Sequence, residues 1–163
     1  MTYVIGIDPG LHGALALLEF QSGDPHPTIH FARDMPLAKV RGKDQLELGV
    51  LAGWLCEPRF LADEPHVWIE DVHAAPGQGV SSMFRFGYAA GAITGLVVGL
   101  GLAITQITPQ RWQHIAGVGD KGPDAARHRA GQLFPRSAQL FERKMDHNRA
   151  DAALIAFAGW HSL

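Results

Sequence analysis

Two short apolar segments of this chain each end in a carboxylate, and this pattern constrains the fold more than any other feature. Residues 3–8 and 66–70 have the composition of core β-strands and end at Asp8 and Glu70. A carboxylate beside a buried strand is costly in free energy unless it faces a cleft or a cation. If the two strands are parallel neighbours, their ends lie roughly 5 Å apart. The pattern therefore predicts a sheet with an acidic site at one edge.

Turn residues and hydrophobic periodicity predict further strands and helices. Segments 13–20, 28–33 and 102–107 have strand patterns, and a tight turn joins 13–20 to the first strand as an antiparallel hairpin. Residues 34–43 are polar and predict a loop. The predicted helices are a segment capped by Asp44 and stopped by Pro58, a long segment capped by Ser81 or Ser82, a short one from Thr108 through Trp112, and residues 123–134 and 147–161.

Length and composition predict one folded domain over residues 1–163. The chain is 47% apolar and 18% charged, as ordinary globular proteins are, and its single cysteine excludes an internal disulfide framework. The first twenty residues lack the marks of a secretory signal, so we expect a cytoplasmic protein. Residues 1–80 contain five Lys and Arg against eleven Asp and Glu, whereas residues 81–163 contain nine against five. The basic second half is compatible with a phosphate-backbone partner.

Residues 86–105 form a charge-free segment long enough to span a bilayer as a helix. We predict no membrane span there, because five of these twenty residues are glycine. Glycines at positions 87, 91, 95 and 99 recur every fourth residue and line one helix face, so that another backbone can approach closely. That backbone belongs either to the protein's own sheet or to a second copy of the helix.

A third acidic cluster precedes the apolar helix near the carboxyl end of the chain. On a helix, Asp151 shares one face with His147 and Asn148. Asp146 reaches the same point only from the N-cap. Together with the two strand-end acids, this cluster suits a pair of Mg²⁺ ions held by oxygen ligands, which activates water and stabilises a leaving oxygen on phosphorus. The chain contains no GxxxxGK[ST], HExxH or GxSxG motif.

Four motifs, in this order along the chain, resemble the RuvC family of Holliday junction resolvases and most of all its short, phage-type branch. They are Ile5-Gly-Ile-Asp-Pro-Gly10, the Ile-Glu-Asp-Val-His run at 69–73, Gln78-Gly-Val-Ser-Ser-Met-Phe-Arg-Phe-Gly87, and Asp146-His-Asn-Arg-Ala-Asp-Ala152. The resemblance implies an α/β, RNase H-like fold with a five-stranded mixed sheet flanked by helices. It also implies a homodimeric, Mg²⁺-dependent endonuclease that nicks four-way DNA junctions symmetrically, in the host-cell cytoplasm if the protein is phage-encoded.

The resemblance also implies a set of metal ligands. Asp8, Glu70 and Asp151 fall on the family's acid positions and would hold two Mg²⁺ ions per active site, for which we expect Mn²⁺ to substitute. The family's remaining ligand position falls on Asn148, and an amide is a poorer cation ligand than a carboxylate. We therefore expect Asp146 or His147 to take that place, and we favour Asp146 because its oxygen is anionic.

Further positions resemble the family's DNA-contacting elements. Residues 117–121 resemble a Gly-rich loop whose lysine contacts phosphate, and the loop after Glu70 resembles an element that enters the junction centre. The glycine-faced helix resembles the family's dimer helix, which favours a second copy as its partner. The residues predicted to contact DNA are His73, Gln78 and Phe84 near unstacked bases, Arg85 in the same motif, and Arg111, Lys121, Arg127 and Arg129 on the phosphate backbone.

Three other functions share parts of this pattern. An actin-like nucleotide-binding domain also has Asp-Pro-Gly followed by a hairpin, but it needs two RNase H-like halves, and 163 residues hold one. A related ribosomal-RNA-processing nuclease is similar in size, but the long loop after Glu70 argues for branched DNA. A catalytically silent DNA-binding scaffold would not need the intact acids. We expect branched DNA and a second copy as partners, and neither a membrane nor a nucleotide cofactor.

Overall fold

The structure, a computed structural model, describes residues 2–23, 26–57, 64–73, 77, 79–119, 122 and 124–163. The described strands are β1 (Thr2–Asp8), β2 (Ala14–Phe20), β3 (Thr28–Asp34), β4 (Leu37–Val40), β5 (Lys43–Leu46), β6 (His66–Glu70) and β7 (Ile104–Ile107). The described α-helices are α1 (Leu48–Leu55), α2 (Val80–Gly99), α3 (Pro109–Ala116), α4 (Ala125–Leu133) and α5 (His147–Trp160). Short 3₁₀ segments, Pro135–Phe141 and Lys144–Asp146, lie between α4 and α5.

The main sheet has five strands in the order β3-β2-β1-β6-β7. β2 runs antiparallel to β1, as the hairpin pattern predicts, and also to β3, whereas β6 and β7 run parallel to β1. Ile7 pairs with Ile69 in the register of β1 and β6, so the two strands that end in carboxylates are parallel neighbours. Their carboxyl ends therefore meet at the same edge of the sheet.

A small second sheet lies where the sequence predicts a loop. β4 and β5 form an antiparallel hairpin, and its turn residues Arg41 and Gly42 have φ values of 51° and 76°. Two positive φ values are typical of a type I′ hairpin turn, but arginine is an uncommon residue in it, so the turn signal is weak in the sequence. Asp44, predicted to cap α1, instead lies in β5 and pairs with Lys39 at 2.7 Å. Helix α1 begins only at Leu48.

Two apolar layers cover the two faces of the main sheet. One contains β-strand residues such as Val4 and Trp68 together with α3, α4 and α5, and the other contains Ile5 and Ile7 with α1 and α2. Because side chains alternate along a strand, Asp8 lies on the face of Val4, and Glu70 lies on the face of Trp68. Both carboxylates therefore lie on the face that α5 covers.

Helix α2 packs on the other face through Ala89, Ile93 and Val97. Its N-cap is Gly79, and the serines predicted to cap it lie inside its first turn. Its four glycines at 87, 91, 95 and 99 are exposed, and no described atom lies within 4 Å of the place where a Cβ would stand on any of them. The glycine face is thus not packed on the described part of this chain's own sheet. No described helix has the length and hydropathy needed to cross a membrane.

Candidate metal centre and nucleic-acid groove

Three carboxylates from three elements meet at the carboxyl edge of the sheet. Asp8 ends β1, Glu70 ends β6, and Asp151 lies in the second turn of α5. Helix α5 lies directly on β1, because a Cβ on Gly6 would stand 2.0 Å from the carbonyl oxygen of Ala152. This close approach brings Asp151 to the strand ends.

The charges of the three carboxylates interact strongly. Burial, and then the charges of Asp151 and Glu70, raise the pKa of Asp8 well above its usual range. Burial raises the pKa of Glu70. Burial and the charge of Glu70 raise the pKa of Asp151 to about 7, against a smaller opposing effect of His147. Among the described residues, no lysine or arginine contributes to these shifts. Within the described residues, the cluster thus brings three acidic groups together without a lysine or arginine to offset them.

The three carboxylates are neighbours, but their oxygen atoms do not converge on one point. In the described part of the chain, no group of three or more His, Cys, Asp or Glu side chains is gathered tightly enough to enclose a metal ion. Mutual repulsion favours such spreading, and Glu70 Oε1 accepts a hydrogen bond from Trp112 Nε1 at 2.8 Å. Buried carboxylates with uncompensated charge are the donor set that a hard divalent cation needs, so the residues fit such an ion.

A groove with a volume of about 620 Å³ runs beside Asp8. Its walls come from the turn after β1, the first turns of α2 and the start of α5. Gly10 lies in this turn with a φ of +142°, a conformation that side chains rarely adopt, and the Phe86 ring packs against it. The polar side chains that line the groove with Asp8 are His12, Ser82, Arg85, His147 and Asn148.

Comparisons with known proteins agree with this geometry. No family model matches the chain. Over 90 residues, or 55% of its length, the chain is 33% identical to the chloroplastic Holliday junction resolvase MOC1 of Chlamydomonas reinhardtii, and the chain covers 10% of that protein. The structure aligns with T. thermophilus RuvC in complex with a Holliday junction substrate at a TM-score of 0.69 and 17% identity, covering 99% of this chain and 95% of the other. This chain has the RuvC fold.

A second solved structure agrees. The fowlpox virus Holliday junction resolvase aligns at a TM-score of 0.59 and 12% identity, over 99% of both chains. These likenesses confirm the predicted α/β, RNase H-like fold with its five-stranded mixed sheet.

The RuvC fold of this chain does not bring Asp146 into the metal centre as predicted. The Asp146 side chain is 1% exposed and contacts Arg143, which donates to it from the backbone nitrogen at 2.8 Å and from Nη2 at 2.7 Å. Arg149 Nη1 lies 3.8 Å from the same carboxylate. Burial acts to raise the pKa of Asp146, but the hydrogen bonds and charge of Arg143, with the charge of Arg149, outweigh it and hold that pKa below its usual range. Asp146 thus serves the turn before α5, and its oxygens are taken.

The two residues after Asp146 lie in the groove instead. His147 Nδ1 donates to the carbonyl oxygen of Lys144 at 3.1 Å, so in the neutral form of the ring Nε2 is the nitrogen with the lone pair. Asn148 Nδ2 donates to the carbonyl oxygen of His12 and so ties the start of α5 to the turn after β1. Of the three side chains considered for the fourth ligand, Asp146 is engaged by Arg143, whereas His147 Nε2 and Asn148 Oδ1 have no hydrogen bond to any described residue.

Several predicted DNA-contacting residues lie on the surface around the groove. Phe84 and Arg85 are exposed in the first turns of α2. Arg111 is exposed on α3. His73 is exposed beside a smaller cavity that Glu70 also lines, with its Nε2 3.5 Å from Asp71. Gln78 and Lys121 lie outside the described residues.

Two arginines predicted to contact DNA have structural partners instead. Arg127 is buried, and its Nη1 donates to the carbonyl oxygens of Phe141, Glu142 and Arg143. It therefore holds the 3₁₀ segments against α4, and its prediction as a phosphate-backbone contact is wrong because its guanidinium is buried on carbonyl oxygens. Arg129 Nε donates to the carbonyl oxygen of Ala116 at 2.6 Å, which satisfies the end of α3. Neither role is visible in the sequence, where both residues are helical arginines in a basic segment.

Three functional residues have weak sequence signals. His12 and Ser82 both line the groove. His12 lies in the turn after β1 and Ser82 in the first turn of α2, and only the folded sheet brings these two segments together. Trp112 contacts Glu70 from 42 positions away. The sequence indicates this contact only through the Thr108-Pro109 helix start one turn before Trp112. That start places Trp112 just after β7, the strand that pairs with β6.

Proposed function

We propose that the protein is a metal-dependent endonuclease that resolves four-way DNA junctions by paired symmetric nicks. The observation that carries this proposal is the meeting of Asp8, Glu70 and Asp151 at one sheet edge, without a cationic partner among the described residues. The likeness to a curated Holliday junction resolvase over 90 residues supports the choice of substrate. We also propose that residues 1–163 form a single nuclease domain.

In this proposal, Asp8, Glu70 and Asp151 hold two Mg²⁺ ions, with Mn²⁺ as a substitute. When bound, the metal pair supplies an activated nucleophile from water and stabilises charge on the leaving oxygen of the phosphate. Asp8 and Asp151 would supply carboxylate oxygens, and a bound cation would favour the charged form of both side chains. Glu70 supplies the third carboxylate from the neighbouring strand.

We propose His147 as the fourth ligand. Its Nδ1 donates to Lys144, so Nε2 can coordinate, and the residue lines the same groove as Asp8. A hydrogen bond from the other ring nitrogen to a backbone carbonyl is typical of metal-binding histidines. Asn148 remains the positioning contact to the turn after β1.

The groove surface suits a nucleic-acid backbone. Arg85 is exposed and lines the groove beside Ser82, so it can pair with a phosphate while the serine hydroxyl donates to another. His73 is exposed beside the cavity that Glu70 lines, and Arg111 adds a positive charge on the exposed side of α3. Phe84 is exposed next to Arg85 in the first turns of α2 and offers a ring on which an unstacked base can pack.

We propose that the protein acts as a homodimer through α2. The exposed face of this helix contains no charge apart from Arg85, and its large apolar side chains Val80, Phe84, Tyr88 and Val98 are between 59% and 80% exposed. Its glycines leave room for a second helix to approach closely. A two-fold dimer would present two acidic centres to a junction, which is what paired symmetric nicks require.

The test uses labelled four-way, three-way and linear duplex DNA, with and without Mg²⁺. We expect paired nicks in the four-way junction at symmetry-related positions, only with the metal present. Asp8→Asn should abolish cleavage and keep junction binding in EDTA, because the groove residues remain. Equal cleavage of linear duplex, or a fully active Asp8→Asn, would contradict the proposal.

A further inference from the structure

A buried indole donates a hydrogen bond to one of the three carboxylates. Trp112 is 2% exposed, and its Nε1 lies 2.8 Å from Glu70 Oε1. We infer that Trp112 is a positioning residue that holds the Glu70 carboxylate in one orientation for the divalent cation. This inference rests on the proposed function and adds a residue to its site.

The fold delivers the indole from the neighbouring strand. Glu70 pairs with Ile107 in the parallel register of β6 and β7, and Ile107 ends its strand. Thr108 then caps α3, its side chain accepting from the backbone nitrogen of Arg111. Trp112 lies one turn into that helix, so its ring returns over the end of β6. The ring packs in the core layer under α5, and this layer fixes the donor in place.

The choice of donor matters because of its charge. Asp146 is held by Arg143, whose positive charge cancels the negative charge of the carboxylate. An indole N–H orients Glu70 without adding a positive charge, so the carboxylate keeps the charge that attracts a divalent cation. The contact occupies one lone pair of Oε1 and leaves the remaining acceptor sites of both oxygens.

Glutamate has more need of such a contact than the two aspartates do. It has one more rotatable bond, and ordering a long side chain costs up to about 2 kcal/mol of conformational entropy. The hydrogen bond to Trp112 already restricts the Glu70 side chain, so less conformational entropy is lost when a cation binds. Burial raises the pKa of Glu70, and the hydrogen bond from Trp112 partly opposes that rise.

Trp68 provides a matched control within the same core layer. Its Nε1 is also buried, but it has no hydrogen-bond partner among the described residues. Replacing either tryptophan by phenylalanine deletes one indole N–H from the same layer. Only the change at Trp112 removes a contact to a proposed metal ligand.

The first experiment measures cleavage of a four-way junction against Mg²⁺ concentration. In Trp112→Phe we expect the half-saturating Mg²⁺ concentration to rise about 10-fold, the lower end of the usual effect of losing an outer contact to a metal ligand. The maximal rate at saturating Mg²⁺ and junction binding in EDTA should change by less than about 3-fold. Trp68→Phe should leave the Mg²⁺ midpoint unchanged, although both variants lose thermal stability.

The second experiment needs no catalysis. In the metal-free protein, the indole ¹H–¹⁵N signal of Trp112 should shift in Glu70→Ala and on addition of Mg²⁺, while that of Trp160 stays in place. The signal is assigned by its loss in Trp112→Phe, or by elimination with phenylalanine variants of the other three tryptophans. The inference fails if the Trp112 indole signal does not shift in Glu70→Ala, or if a folded Trp112→Phe has an unchanged Mg²⁺ midpoint. In either case Trp112 would be a packing residue of the core and not a positioning residue. If the wild type cleaves no branched DNA, the proposed function fails, and the indole response still decides whether the contact exists.

Discussion

At the scale of single residues, the neighbours of a carboxylate decide its role. Asp146 and Asp151 lie five positions apart at the start of α5. Asp146 has arginine partners and a lowered pKa, whereas Asp151 faces Glu70 and has a pKa of about 7. The arginines stabilise the charged form of Asp146, whereas burial and the charge of Glu70 destabilise the charged form of Asp151. Only Asp151 therefore belongs to a site that a bound cation would stabilise.

The raised pKa of Asp151 predicts a pH-dependent stability of the metal-free protein. An unfolded aspartate titrates near pH 3.9, so the folded state binds this proton more tightly. The stabilisation is fully present below that pH and is lost as the pH rises through about 7. Asp151→Asn has no carboxyl group to titrate, so it does not lose this stabilisation as the pH rises. The unfolding free energy of the variant relative to the wild type should therefore increase between pH 5 and 8, towards a difference of roughly 4 kcal/mol at about 1.4 kcal/mol per pKa unit.

Denaturant unfolding of both proteins across this pH range measures the difference. Saturating Mg²⁺ should stabilise the wild type and not the variant, because ligands that bind only the folded state raise its stability. A difference that is the same at pH 5 and pH 8 would contradict the raised pKa.

The proposed fourth ligand predicts opposite behaviour for two adjacent residues. Asp146→Asn loses the charge-assisted contacts to Arg143 and should cost about 1–3 kcal/mol of stability, with the half-saturating Mg²⁺ concentration unchanged. His147→Ala should raise that concentration about 10-fold or more with little change in melting temperature. Cleavage titrations and thermal melts of both variants give the two readouts. An unchanged Mg²⁺ midpoint in His147→Ala would return the ligand assignment to Asp146 or Asn148.

At the scale of secondary-structure elements, the contact between α5 and β1 builds the site. α5 is rich in buried alanines, and small side chains let it lie close to the sheet. Gly6 completes this contact, because even one methyl group there would overlap the backbone of Ala152. The distance between Asp8 and Asp151 is therefore set by small residues that take no part in the chemistry.

Gly6→Ala tests this contact directly. The added Cβ would stand 2.0 Å from the Ala152 carbonyl oxygen and 2.5 Å from the Ala156 nitrogen, so the helix must shift. We expect a loss of 3 kcal/mol or so in unfolding free energy, at the upper end of overpacking effects, and a loss of cleavage.

Gly53→Ala is the matched control. Gly53 lies in α1, and no described atom lies within 4 Å of its Cβ position. Alanine there should stabilise the helix by about 0.5–1 kcal/mol. Thermal and denaturant melts compare the two, and equal stability of both variants would show that α5 does not need the close approach.

At the scale of the whole molecule, one helix face has no partner in the described part of the chain. α2 buries Ala89, Ile93 and Val97 against the sheet and exposes its glycines together with large apolar side chains. Glycine in the middle of a helix costs up to about 1 kcal/mol each relative to alanine. Close packing against a second α2 would compensate for that cost.

Gly95→Leu should break the proposed dimer without damaging the fold. The exposed position has room for a side chain within one chain, so the melting temperature of the monomer should be retained. Sedimentation velocity at micromolar concentration should show a dimer for the wild type and a monomer for the variant. Gly53→Leu, on the exposed face of α1, should remain a dimer. A monomeric wild type would refute the dimer.

The sequence by itself determined the strands of the main sheet and the acids at their ends. Alternation of buried side chains and turn residues is a local property, so the hairpin of β1 and β2 and the strand before Glu70 were predictable. The motifs around Asp8 and around Asp151 could likewise be recognised in the sequence, because each one lies within or next to a single element. These signals, with the family resemblance, were enough for the fold, and they led to the prediction of Asp8, Glu70 and Asp151 as metal ligands.

Only the tertiary structure decided which partner each polar side chain has. Asp146 contacts arginines, Arg127 holds carbonyl oxygens, and Trp112 reaches Glu70 across 42 positions, because folding brings these groups together from separate elements. The hairpin at Arg41 was missed for a related reason, since its polar strands have no buried face to mark them. Side-chain type and spacing limit the contacts a residue can make, but burial and proximity select among them, and both are properties of the packed molecule.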